Sequence, residues 1–199
     1  GYARQNINMS ETNFDLFANY KFDILSDLNV SGIVGGNVRR NYYNSIYNST
    51  EGGLVVPGLY ALGNSAASVL APSEDEYTYV TSSAYATASF DYKKFLYVDA
   101  TARYDKNSNL KKGNNTYFYP SVTAAVILSE LVKPDFLNFW KVRANYAEVG
   151  GTADAYQLVS TYSPAGIFNS SVGIFSSVTT LKNSGLKPQR SKEFEVGTE

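Results

Sequence analysis

Even-numbered positions are apolar and odd ones polar in segment after segment of this chain. Phe14, Leu16, Ala18, Tyr20 and Phe22, then Leu28, Val30, Gly32, Val34, Gly36 and Val38, alternate with Asp15, Asn19, Lys21, Asn29, Ser31, Asn37 and Arg39. The same phase returns in Val80, Ala84, Ala86, Ala88, Phe90 and Tyr92, in Leu96, Val98, Ala100, Ala102 and Tyr104, and in Phe118, Val122, Ala124, Val126 and Leu128. It returns again in Trp140, Val142, Ala144 and Tyr146 and in Phe194 and Val196. A period of two belongs to strands with unlike faces, because successive side chains point to opposite sides of a sheet.

Short and long connections take turns between these strands. Ser26-Asp27 and Tyr92-Lys93-Lys94 are tight turns, whereas residues 41–76 and 150–190 are long polar stretches. Strands are expected near residues 11–23, 28–40, 77–92, 95–104, 117–128, 140–149 and 191–199. Each has at least the roughly 9 residues that a tilted strand needs to cross a bilayer, and the third is the longest. The connection from Ser129 to Phe139 fits the short-turn rule least well, and Pro134-Asp135 is positioned to start one helical turn.

Composition narrows the chemistry. The 199 residues contain no Cys and no His, so thiol nucleophiles, disulfides, the usual zinc ligand sets and imidazole acid/base catalysis are all excluded. A net charge of −1 gives no field to draw in nucleic acid. No apolar run is long enough for a transmembrane helix. Aromatic residues make up 15% of the chain, and 17 of them are Tyr, a residue suited to a boundary between water and an apolar phase.

The cost of charge in lipid assigns the faces. Arg or Lys facing lipid at the bilayer midplane costs roughly 2 to 4 kcal/mol, so Arg103, Lys141 and Arg143 belong to a lumen and the Val/Leu/Ala face to lipid. Aromatics gather at strand ends: Phe22, Tyr92, Phe95 and Trp140 on the short-turn side, and Tyr42, Tyr43, Tyr77, Tyr79, Tyr104, Tyr117 and Tyr146 on the other. The expected fold is all-β, an antiparallel transmembrane β-barrel. About seven strands cannot close such a barrel alone, and both termini read as cut, so residues 1–199 are expected to be one part of a β-barrel domain. A soluble β-sandwich also alternates apolar and polar residues and is the competing fold.

Several segments resemble the later barrel strands of SusC/RagA-type TonB-dependent transporters. They are Ala102-Arg103-Tyr104-Asp105, Phe118-Tyr119-Pro120-Ser121-Val122 with Ser129-Glu130, Trp140 to Tyr146 with Gly150-Gly151, and Leu186-Lys187-Pro188-Gln189-Arg190 leading to Glu193-Phe194-Glu195-Val196-Gly197. The chain departs from the family pattern at Asp105-Lys106-Asn107-Ser108, which lacks a glycine, and at Ala147-Glu148. The resemblance implies a 22-stranded plugged barrel in the outer membrane of a Gram-negative bacterium. It further implies TonB-driven import of oligosaccharides or peptides, with a SusD-like surface lipoprotein as partner. No plug and no TonB-contacting segment is recognisable in these residues. An adhesin or structural barrel binding partners through its loops, and a secreted carbohydrate-binding β-sandwich, are the alternatives.

No catalytic residue, cofactor or metal site is expected, and the chain is not expected to be an enzyme. Candidate substrate-contacting residues on the lumen face are Arg103, Lys141, Arg143 and Asp99, with Arg39 beside them; mutual pairing is the ordinary role of such residues. Asp105-Lys106-Asn107-Ser108-Asn109 begins like a calcium loop, but Leu110 and Thr116 stand where Gly and Glu are needed. Glu74-Asp75-Glu76 reads as a solvated loop tip. The Asn-X-Ser/Thr triplets at Asn8, Asn48, Asn114 and Asn169 are what Asn/Ser-rich loops produce by chance. Tyr42, Tyr43, Tyr47, Tyr60, Tyr156, Tyr162, Phe168 and Phe175 are loop aromatics suited to stacking on sugars or to contacting a capping partner.

Overall fold

The computed structural model of the chain describes residues 1–132, 138–169 and 172–199. In chain order the strands are β1 (Ala3–Leu25), β2 (Leu28–Ser49), β3 (Glu51–Leu54), β4 (Ser65–Ala67), β5 (Ser73–Tyr92), β6 (Leu96–Asn107) and β7 (Thr116–Ile127). A single helical turn α1 (Leu128–Leu131) follows, then β8 (Lys141–Gly151), β9 (Ser163–Phe168), β10 (Val172–Ser176) and β11 (Gln189–Thr198). Seven of these form one sheet in the order β1-β2-β5-β6-β7-β8-β11; β9-β10 and β3-β4 are separate two-stranded sheets. Strands β1 and β11 are the edges, so the seven-stranded sheet is an unclosed antiparallel wall.

Two compact units can be distinguished, residues 1–13 with 39–80 and residues 14–38 with 81–199. In the first, the small β3-β4 sheet is organised by Asn64, whose amide donates to the carbonyls of Val56 and Leu59 at 2.9 and 2.8 Å. Tyr43 and Tyr77 stack with centroids 4.9 Å apart. Residues 41–49 and 73–76, expected as loop, are strand. The apolar phase fades there, but backbone pairing needs no lipid-facing side chains to continue.

In the second unit the register carries the expected phase across every pairing it joins. Phe90, Val98, Ala124, Ala144 and Val196 form one row of directly paired residues, and Ser89, Asp99, Thr123, Asn145 and Glu195 the next row on the other face. A slip of one residue at any pairing would put charge among the apolar rows. Contacts in the first hairpin keep the same phase: Asn37 Nδ2 donates to Asp15 at 2.8 Å, and Tyr20 lies against Gly32.

The apolar face is uncovered. Among the described residues the buried hydrophobics are Val30, Leu110 and Tyr117 alone, while Val122, Phe194 and Val196 are 45%, 70% and 66% exposed. A soluble sandwich would bury this face under a second sheet; a membrane barrel turns it to lipid. Tyr104 and Phe118, on neighbouring strands of the same face, are exposed near the long connections. Tyr117 departs from the expected aromatic rim, since pairing with Asp105 puts it on the polar face and only 5% of it is exposed.

Two departures from a regular ladder have identifiable causes. Near Gly32 the Ile33 N–H donates to Thr87 Oγ1 at 3.1 Å, and the Thr87 carbonyl accepts from the Tyr20 hydroxyl at 2.7 Å. Side chains thus satisfy backbone groups that lipid could not. Glycine is required beneath Tyr20, because a Cβ there would lie 2.0 Å from the Thr87 oxygen.

The second departure is a fork. The β7–β8 ladder ends at Ser121 with Ala147, although β7 continues with β6 to Thr116 and β8 with β11 to Gly151. Ile127 N–H donates to Phe95 on the β6 side and Leu128 N–H to Trp140 on the β8 side, so alternation aims even-numbered N–H groups of β7 at β8. Pro120 is even-numbered and has no N–H. The ladder stops where its next donor is missing.

The short-turn end has its own chemistry. Lys93 and Lys94 both take positive φ, 49° and 59°, in the three-residue connection between the paired residues Tyr92 and Leu96, where the Phe95 N–H donates to the Tyr92 carbonyl at 3.2 Å. Trp140 Nε1 donates to Thr198 Oγ1 at 3.1 Å, and Tyr92 meets Phe95 edge-on at 5.6 Å. The helical turn expected at Pro134-Asp135 lies outside the described residues, as do Ser170 and Ser171 of the last Asn-X-Ser triplet; α1 begins earlier, directly after β7.

Ala124 and Thr123 offer a direct test of the faces in the full-length protein. Ala124→Arg should destabilise folding into lipid vesicles by roughly 2 to 4 kcal/mol, and Thr123→Arg by well under half of that. Equal penalties in urea-dependent folding would contradict the assignment.

Candidate functional site: the polar face of the wall

The polar face of the second unit is built from odd-numbered residues of β5 to β8 and β11, and its side chains mostly satisfy one another. Thr101 and Ser121 hydroxyls pair at 2.7 Å, Thr123 donates to Asn145 at 2.9 Å, and Ser89 donates to Asp99. Such lateral links across strands rigidify a surface whose polar groups would otherwise each need water.

The four candidate residues on this face do not converge. Arg103 sits near the long connections: its Nε lies 2.8 Å from Asp105 Oδ1, its Nη2 donates to Ser83 Oγ at 2.8 Å, and its guanidinium lies 5.8 Å from the Tyr85 ring centroid. Lys141 and Arg143 lie at the other end of the strands, sharing Glu199 at 3.4 and 3.7 Å. Asp99 stands between the two groups, two rows from Arg103, in the row of Thr123 and Asn145. Arg39 belongs to the first unit, where it is exposed on β2.

Alternation in β11 carried a signal that the sequence reading passed over. Glu193 and Glu195 face Ala147 and Asn145, so the polar face holds acids as well as bases. Glu195 joins Thr123, Arg143 and Asn145 around an open hollow. Gly197 makes room for Arg143, whose Nε would lie 2.7 Å from a Cβ at that position. Tyr85 and Tyr119 flank Arg103 on the paired strands and were also missed.

The segment from Asp105 to Thr116 uses its oxygens internally. Asp105 holds Arg103; Asn107, only 2% exposed, donates to Thr81 Oγ1 at 2.9 Å and accepts from the Asn109 N–H at 2.7 Å. Among the described residues no group of three or more His, Cys, Asp or Glu is placed to hold a metal ion. Glu74, Asp75 and Glu76 are exposed at the start of β5. Of the loop aromatics, Tyr60 meets Tyr2 at 6.3 Å, and Tyr156, Tyr162, Phe168 and Phe175 are exposed.

These interactions set the expected energetics. The pairs at Glu199 are solvent-accessible, so Arg143→Ala should change stability by less than about 1 kcal/mol. Arg103→Ala strips partners from Asp105 and Ser83 and should cost somewhat more, about 1 kcal/mol. Urea unfolding of the full-length protein in detergent measures both, and a larger loss for Arg143→Ala would reverse the ranking.

Comparison with known proteins agrees with this geometry. The family model described as TonB dependent receptor-like, beta-barrel matches residues 1–199. No curated protein matches the chain. Among solved structures, that of the RagAB peptide transporter superposes with a TM-score of 0.82 at 17% identity, covering 98% of this chain and 22% of that one. The RagAB peptide importer gives TM-scores of 0.81 in its 'closed-closed' state and 0.80 in its 'open-open' state, with the same coverage and identity. The chain therefore shares the fold of part of a barrel wall and spans 22% of the length of these structures.

Proposed function

The chain belongs to the TonB-dependent receptor-like β-barrel family, and from that premise we propose that it forms one arc of an outer-membrane, SusC/RagA-type nutrient importer. The observation that carries this reading is the two-faced wall. Its apolar face is exposed, and its polar face is cross-linked by hydrogen bonds and ion pairs. In this reading the apolar rows meet lipid and the polar rows line the lumen, where plug and cargo pass. The long connections face outward, towards a SusD-like lipoprotein that caps the barrel.

Transport rather than bond chemistry is the role. With no Cys or His in the sequence and with Arg103, Lys141 and Arg143 each paired to an acid, the wall guides and selects. Energy comes from the inner-membrane proton gradient through TonB. Peptides are the cargo favoured by the likeness to the RagAB peptide importer; oligosaccharides are the other class that the sequence resemblance implies.

Uptake of labelled peptides and oligosaccharides by the native bacterium tests this. Deleting the full-length gene or disabling TonB should abolish uptake of the cargo, while surface binding survives loss of TonB. Undiminished uptake in both strains, with loss of surface adhesion on deletion, would replace the importer with an adhesin.

A further inference from the structure

The even-numbered face, which meets lipid in the barrel reading, changes chemistry in a fixed order along β8 and β11. Ala144 with Val196 is an apolar row, Tyr146 with Phe194 an aromatic row and Glu148 with Lys192 a charged one; Arg190, paired with Gly150, completes the series. The same order runs independently along β6 and β7, from Ala102 with Pro120, through Tyr104 with Phe118, to Lys106 with Thr116. Tyr104, Phe118 and Lys106 are exposed. Lys106, Lys192 and Arg190 thus stand in the apolar phase, each beyond an aromatic row.

Glu148 is the sheltered centre of the larger group. Its side chain is only 11% exposed, accepts from the Tyr146 hydroxyl, and lies 3.2 Å from Lys192 Nζ and 3.5 Å from Arg190 Nε. Both cations remain more than half exposed, Arg190 at 53% and Lys192 at 60%. One acid does not saturate them, since a guanidinium carries five N–H donors and an ammonium three. Two cations on one acid leave a surplus positive charge, with donors to spare on the exposed side.

Depth says what lies opposite those donors. Trp140 precedes β8 at the short-turn end, ten residues before Gly150, the partner of Arg190. At about 3.3 Å per residue and the usual barrel tilt, that stretch spans about 25 Å, the height of the apolar band of such a barrel. Arg190 and Lys192 therefore fall where hydrocarbon gives way to headgroups. A cation on the lipid face costs only about 0 to 1 kcal/mol there, and long stems let both heads reach outward.

We propose that Arg190 and Lys192, set on Glu148, bind the phosphate of a lipid headgroup in the leaflet around the long-connection end of the barrel. The proposal rests on the membrane orientation in the importer reading and adds a lipid partner to it. Phosphate oxygens accept from a guanidinium fork and an ammonium together. Phe194 and Val196, exposed on the same face of β11, offer the acyl chains an apolar track leading away from the cations. Glu148 is a positioning residue: it keeps the two cations side by side and holds back part of their charge.

Fluorescence anisotropy of the purified full-length protein in neutral detergent tests this with two labelled probes, phosphatidic acid and the diacylglycerol of the same chains. Phosphatidic acid should bind about tenfold more tightly. Arg190→Gln with Lys192→Gln should remove most of that preference, and Lys112→Gln, which removes one exposed loop charge, should keep it. Glu148→Gln should strengthen the preference severalfold by releasing both cations, a gain that a purely structural ion cluster would not give. That variant also keeps the test decisive if the double variant fails to fold. Equal affinity for the two lipids, a preference that survives the double substitution or falls as far with Lys112→Gln, or one unchanged or lost in Glu148→Gln overturns the site. Displacement of the lipid by equimolar inorganic phosphate overturns it as well, since the occupant would then be a free anion. Uptake is measured separately in cells, so failure of the lipid site leaves the importer standing, and loss of the importer leaves lipid binding legible.

Discussion

Backbone hydrogen bonding without water is the constraint on which everything else in this wall depends. In lipid an unpaired N–H or C=O costs several kcal/mol, so strands survive only where a neighbour completes each rung. Once the rungs are made, side-chain direction follows with no freedom left. Residue Ala124 faces out because Ser121 and Thr123 face in, and the pairing to Ala144 and Val98 repeats that choice on both neighbours.

Where the ladder is incomplete, the chain supplies a substitute or withdraws to a place where none is needed. At Gly32 the substitutes are the hydroxyls of Tyr20 and Thr87. At Pro120 there is no substitute, and the strands part near the long connections, an end where water reaches the backbone in the barrel reading. A proline in the middle of the apolar rows would have been a defect. At the end of the ladder it becomes a device for making a cleft between paired strands.

The polar face shows how a wall can carry charge without concentrating it. Arg103 is absorbed by Asp105 and Ser83, and Lys141 and Arg143 by Glu199. These groups are spread along the strands instead of converging on one point.

Alternation in the sequence determined the main strands and the polarity of each face along their middle stretches, where Arg103, Lys141 and Arg143 share one side; nearer the long connections Arg190 and Lys192 fall in the apolar phase, beside Glu148. The positions of Arg103, Asp99, Lys141 and Arg143 on one face were legible for that reason. Their separation into two groups was not, since it depends on register between strands far apart in the chain. Strand ends at residues 41–49 and 73–76 were illegible because pairing there persists after the apolar signal fades. The turn at Lys93-Lys94 carries none of the usual glycine signature, so its positive φ angles come from the hairpin it closes. Pro120 was visible in the sequence as part of a family-like motif, but its consequence required knowing which neighbour its missing N–H would have faced. Only the tertiary structure decides that, because donor direction alternates along a strand and has meaning only once both neighbours are in place.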